Sequence, residues 1–178
     1  SFGQPVSDLA SLIEAVSEFA ARAAEKLRKQ NSLARELLVF MHTSPYRPGP
    51  QCSRSVVVPL RRPTDDTLAL TNAAADGMRR MYPPGYDFIK AGVMLLELQP
   101  AAMVQHELAL EPAEDEEPTR DRSRLMAAVD AINGRFGKGT VHSGATGQTG
   151  SQRTWGMKQE RRTPQYTTRL EDVPVVRA

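Results

Sequence analysis

The sequence predicts an α+β fold: a four-stranded sheet with both helices on one face and the other face open. Three observations carry this. Apolar residues recur at helical spacing over 9–27 and over 63–85, β-rich runs fill 35–44, 54–60 and 86–100, and Pro/Gly-rich breaks separate them. With a short leading strand at 1–4, the order becomes β-α-β-β-α-β, an arrangement that stacks one helical layer on one sheet.

The first helix places Leu9, Leu12, Ile13, Val16, Phe19, Ala20, Ala23 and Leu27 on one side, with Ser7 or Asp8 available as its cap. Glu14, Glu18, Arg22, Glu25 and Lys29 take the opposite, solvent-facing side. "RELLVFMHTS" (35–44) is the next strand, stopped by the prolines and glycine of "PYRPGPQ". "RSVVVPL" (54–60) follows, and Pro59, lacking an N–H, marks either a sheet edge or the end of that strand. In the second helix (63–85) Thr64 serves as the cap and Asp65 and Asp66 suit the positive end. Leu68, Ala75, Met78 and Tyr82 form its apolar stripe. "YDFIKAGVMLLELQP" (86–100) is a long strand broken by Gly92.

Charge divides the chain into three segments. Residues 1–100 hold 12 Lys/Arg against 10 Asp/Glu, residues 101–118 hold six acids and no base, and residues 119–178 hold 11 bases against five acids. An acidic, Pro-interrupted bridge has too little apolar surface to offset the entropy of ordering, so 101–118 is a linker between a domain at 1–100 and a basic module at 119–178. At 40% hydrophobic residues, the 178-residue chain can build a core. Its single cysteine, Cys52, excludes an internal disulfide, and nothing in it resembles a signal peptide or an 18-residue apolar run. A soluble, reducing compartment is expected. Because the chain starts at Ser1, a piece of a longer protein is also expected.

An open sheet face needs an occupant. Arg47, Arg54, Ser55, Arg61, Arg62 and Lys90 lie on or beside the strands, and bases there would suit phosphates, whose neutralisation releases counterions. Scattered arginines equally serve to keep a surface soluble. After the last strand, "AMVQHELAL" (102–110) runs straight into "EPAEDEEP". It reads as a peptide for a partner's groove, or as an extension of the strand on its own domain. In the basic segment, Leu125, Val129 and Ile132 mark a helix ended by Gly134 and Gly137, and 142–152 is a Gly/Ser/Thr-rich loop. "GKG" at 137–139 is no phosphate loop, because Gly139 stands where Ser or Thr is needed. Trp155 and Tyr166 interleave with Lys158, Arg161, Arg162 and Arg169, which suits single-stranded nucleic acid or a partner protein, although a lone Trp more commonly anchors a core. His42, His106 and His142 are too scattered for a metal site.

Several of these stretches resemble a known family. "SFG" with its amphipathic helix, "ARAAEKLRKQ", "HTSPY", "YDFIKAGVMLLELQP", "DAINGRFGKGTV" and "WGMKQERRTPQYTTRLEDVPVV" are similar to the little finger and C-terminal extension of Y-family translesion DNA polymerases of the UmuC type. The likeness runs over nearly the whole chain. It implies a domain that grips duplex DNA across the major groove, followed by a sliding-clamp peptide of the form Gln-x-x-Leu-x-Leu, met here by Gln105, Leu108 and Leu110. It implies a UmuD′-like subunit and a RecA filament as partners of the tail, in the bacterial cytoplasm with no membrane contact. It also implies that the two catalytic magnesium ions and their palm carboxylates lie outside this segment, which would then be non-catalytic and hold no cofactor. The alternatives are an interaction module of the same DNA-damage pathway that touches DNA only incidentally, or a small enzyme built on Cys52 or a histidine site.

Overall fold

Helix α1 (Leu9–Lys29) begins where the Asp8 carboxylate accepts the Ser11 N–H at 2.7 Å, so Asp8 rather than Ser7 is the cap. A computed structural model describes residues 1–103, 122–147, 153, 155–157, 163–165, 167–169, 171 and 173. After α1, Asn31 turns left-handed (φ 51°), a conformation asparagine tolerates, and reverses the chain into β1 (Ser32–Thr43). Strand β2 (Ser53–Thr64), helix α2 (Thr67–Met81) and strand β3 (Phe88–Pro100) follow. The sheet has three strands in the order β2-β1-β3, both pairings antiparallel. Pro59 therefore sits on an edge strand, where its missing N–H costs little, and β2 continues past it.

Alternation along β1 fixes the two faces. Leu37, Val39, Met41 and Thr43 are buried beneath the helices, together with Val58 and Ala91 from the neighbouring strands. From α1 they meet Leu12, Val16, Ala20, Ala24 and Leu27, and from α2 they meet Leu70, Ala74 and Met78. Gly77 lets α2 sit down on the sheet: a Cβ there would lie 2.9 Å from methyls of both Val39 and Val58. Each fully buried aliphatic side chain contributes about 1.5–3 kcal/mol before ordering costs.

Four expectations need correction. Residues 1–4 form no fourth strand. Phe2 N–H bonds Ile89 O and Val6 exchanges bonds with Phe88, but Gly3 N–H turns to Gly156 O and Pro5 has no N–H to continue a ladder. Gly92 does not break β3, which runs unbroken through it opposite Phe40. Asp66, not Thr64, caps α2, accepting Leu68 N–H at 2.8 Å, while the Thr64 hydroxyl accepts Asp66 N–H and shapes the approach. Finally, the Glu14–Glu18 side of α1 is not left to solvent.

That side receives the C-terminal segment. Trp155 is only 6% exposed, meets Phe19 edge-on at 5.6 Å and donates its indole N–H to Glu14 at 3.0 Å. Arg153 lies over the same indole, 5.1 Å from its centroid, and 3.7 Å from Glu18. A 3-10 turn, Gly144–Thr146, packs on α1 inside what reads as a plain loop, with Thr146 buried. Helix α3 (Ser123–Phe136) is fastened to the ends of the other two helices by Arg28–Asp130 and Arg122–Asp66. The described part of 119–178 thus shares the core of the first domain through Trp155. The acidic bridge at 104–118 lies outside the described residues.

Candidate nucleic-acid interface

The face of the sheet turned away from α1 and α2 is a ladder of four rungs read from the register. They are Ser53–His42–Lys90, Ser55–Phe40–Gly92, Val57–Leu38–Met94 and Pro59–Glu36–Leu96, each ordered β2, β1, β3. Strands lie about 4.8 Å apart, so the side chains of one rung are direct neighbours. The ladder is graded. Its first two rungs, next to the β1–β2 loop, carry two serine hydroxyls, an imidazole and an ammonium. The third rung is wholly apolar, with Val57 and Met94 exposed.

Gly92 gives this face its relief. A Cβ at that position would stand 2.6 Å from Cζ of Phe40, so the ring lies in the space a side chain would otherwise fill. A glycine on one strand covered by an aromatic of the next leaves the serines of β2 and Lys90 beside an aromatic surface. The imidazole Nδ1 of His42 is 3.0 Å from Thr43 O. When Nδ1 carries a proton and donates there, Nε2 is left for a ligand.

The sequence-predicted residues divide. Lys90 and Ser55 share the open face, and Arg47 is exposed in the loop that borders the polar rungs. Arg54 does not join them. It pairs with Met41 on the helix side and donates Nη1 to Met81 O at 3.0 Å, closing the C-terminal end of α2. Arg61 and Arg62 are exposed further along β2, within the register shift between Pro59 and Thr64, and both already engage other groups. Read for metal-ligand spacing alone, His42 gives no sign of an interface. The period-two alternation Leu38, Phe40, His42 is the signal that places it. Trp155 is a core anchor, Arg169 is exposed, and Lys158, Arg161, Arg162 and Tyr166 lie outside the described residues, as do Gln105, Leu108 and Leu110.

One further electrostatic cluster sits on the helical layer. Asp130 raises the pKa of Arg28 by its hydrogen bond, against the opposing effect of burial. Burial pushes the neighbouring Asp65 carboxyl up, with Arg28 pulling it down. Ionised Asp65 therefore costs stability near neutral pH, a cost relieved as pH falls through its raised folded value. Among the described residues, no group of three or more His, Cys, Asp or Glu could hold a metal ion, and no helix is long and apolar enough to cross a membrane.

Comparison with known proteins adds an independent line. The family model described as the impB/mucB/samB family C-terminal domain matches residues 1–108, and a Domain of unknown function (DUF4113) matches 123–176. The chain is 35% identical over 174 residues to Protein UmuC of Salmonella typhimurium, covering 97% of this chain and 40% of that one. It is 33% identical over 178 residues to Protein ImpB of Salmonella typhimurium (99% and 40%). To Protein MucB of Escherichia coli it is 33% identical over 176 residues (98% and 40%). The chain thus spans about two fifths of the length of these relatives.

Proposed function

The chain belongs to the impB/mucB/samB family as a UmuC-like C-terminal region, and from that premise we propose that it is the non-catalytic, duplex-gripping part of an error-prone translesion DNA polymerase. Catalysis, with its magnesium ions, falls to the part of the relatives' length that this chain does not cover. The observation that carries the reading is the polar half of the open sheet face. Ser53, Ser55, His42 and Lys90 lie side by side, bordered by Arg47, and offer hydroxyl, imidazole and ammonium donors to a phosphate backbone. Arg61 and Arg62 extend the basic character along β2. Such a grip holds register on the duplex without reading sequence.

Gln105, Leu108 and Leu110 supply the tether to the sliding clamp. The glutamine amide orients the peptide and the two leucines fill an apolar pocket, each contributing about 1.5–3 kcal/mol when fully buried. The basic tail, with Lys158, Arg161, Arg162, Tyr166 and Arg169, meets a UmuD′-like subunit and a RecA filament. The protein works in the bacterial cytoplasm at the nucleoid, in SOS mutagenesis.

The apolar third rung, Leu38 with exposed Val57 and Met94, favours a second reading in which the sheet binds protein. A salt series with duplex DNA separates the two. Lys90→Ala is expected to weaken duplex binding on all sequences alike and to reduce the salt slope by about one. A slope unchanged by that substitution and insensitive to salt would assign the face to protein. For the tether, Leu108→Ala with Leu110→Ala is expected to abolish saturable binding to the sliding clamp, read by titration, while duplex affinity stays within about twofold. Parallel loss of both would make the segment a structural extension of β3.

A further inference from the structure

Helix α3 is attached by Arg122, Met126 and Asp130 and turns its remaining large apolar residues outward. Leu125, Val129, Ile132 and Phe136 follow one another at intervals of four, three and four, which places them in a single stripe along the helix. Leu125 is 51% exposed, Ile132 37% and Phe136 66%. The attached side holds Met126, which is buried, and Asp130, which takes two guanidinium bonds from Arg28. Globular helices usually turn their apolar stripe to the core.

Both borders of the stripe are built. On one side stand Arg124 and Arg135, three turns apart, and the Arg135 guanidinium lies 5.1 Å from the Phe136 ring centroid. On the other side the Asn133 amide brackets Val141, donating to its carbonyl at 2.8 Å and accepting its N–H at 2.9 Å. This reciprocal pair folds the chain back after α3 and holds Val141, 38% exposed, beside the stripe.

We infer that this stripe is a docking site for an amphipathic helix of a protein partner that carries acidic residues along the flank meeting Arg124 and Arg135. The four-three-four spacing is the seam by which one helix packs on another, and flanking charges then choose the partner. The sign of that choice is set by α3, whose single acid, Asp130, is held by Arg28 and whose one charged border carries Arg124 and Arg135. The same stripe on a second copy carries the same bases, and its one acid is already held by Arg28, so stripe-to-stripe pairing lacks the counter-charge. The site is separate from the open sheet face, and it does not depend on the duplex-gripping reading.

The full chain can be titrated, by fluorescence anisotropy, with a synthetic helical peptide bearing leucines at the same spacing and glutamates along one flank, and with its lysine counterpart. The glutamate peptide is expected to bind saturably and the lysine peptide at least about tenfold more weakly. Ile132→Ser with Phe136→Ser should lose on the order of tenfold or more for the glutamate peptide. Arg124→Glu with Arg135→Glu, which leaves the apolar stripe intact, should reverse the preference. Failure of the wild type to bind the glutamate peptide overturns the assignment, as does a charge reversal that leaves the preference unchanged. Concentration-dependent self-association of the wild type that Ile132→Ser abolishes would give the stripe to a second copy and overturn it equally.

Discussion

Replacing Trp155 with alanine is expected to cost about 3–5 kcal/mol of unfolding free energy, the range for removing a buried large aromatic side chain. The ring is nearly sealed from water, so the substitution forfeits its apolar burial, its edge-on contact with Phe19 and the indole bond to Glu14 together. It also loosens Arg153, which lies over the indole, and the Gly3–Gly156 bond that joins the first residues of the chain to the tail. Trp155→Phe separates these contributions: it keeps most of the burial and loses the indole donor, and should cost only about 1–2 kcal/mol. Urea unfolding followed by far-UV circular dichroism reads both. A Trp155→Ala variant within about 0.5 kcal/mol of wild type would remove the tail from the core and return the indole to the list of surfaces open to a partner.

The fold is legible where one residue pattern suffices to dictate an element, and fades where two elements must be known together. The apolar spacing of Leu12, Val16, Ala20 and Leu27 places α1 without help, whereas Pro59 allows an edge or a strand end for β2, and the sheet order decides for the edge. Gly92 shows the limit. Read alone it is a strand breaker, yet its lack of a Cβ is used by the ring of Phe40, a residue that becomes its neighbour only through the register of β1 with β3. Arg54 fails for the same reason. Adjacent to Ser55 in sequence, it points to the opposite face, and its partner is the last carbonyl of α2. The acidic side of α1 looks like an ordinary solvated face because the residues that cover it, Trp155 and Arg153, arrive from the far end of the chain. Of the candidate interface, Ser55 and Lys90 are found by composition and position. His42 requires the alternation of β1 to be followed to its end.

The two family matches, over 1–108 and 123–176, meet physically through Arg28, and its removal is the second large effect expected. The guanidinium gives Nε and Nη2 to the two Asp130 oxygens at 2.7 and 2.8 Å, and Nη1 to Asp65 O and the Thr67 hydroxyl at 2.7 and 3.0 Å. One side chain at the end of α1 thus joins the start of α2 and the middle of α3. Side-chain exposures of 13% for Arg28 and 29% for Asp130 place the pair between a surface bridge and a buried one. The cost of breaking it should therefore fall below the fully buried range, at about 2–3 kcal/mol for Asp130→Ala, which leaves the arginine half-satisfied and poorly hydrated. Arg28→Met should cost at least as much, since it also strips Asp65 O and Thr67 of a donor. Combining Arg28→Met with Asp130→Leu should recover part of the loss, because apolar groups of similar length need no counter-charge. Chemical denaturation of the single and double variants measures the coupling. Hydrogen exchange along α3 tells whether the helix leaves while the sheet stays protected. Additive losses with α3 still protected would mean that Met126 and Arg122, rather than this ion pair, hold the two regions together.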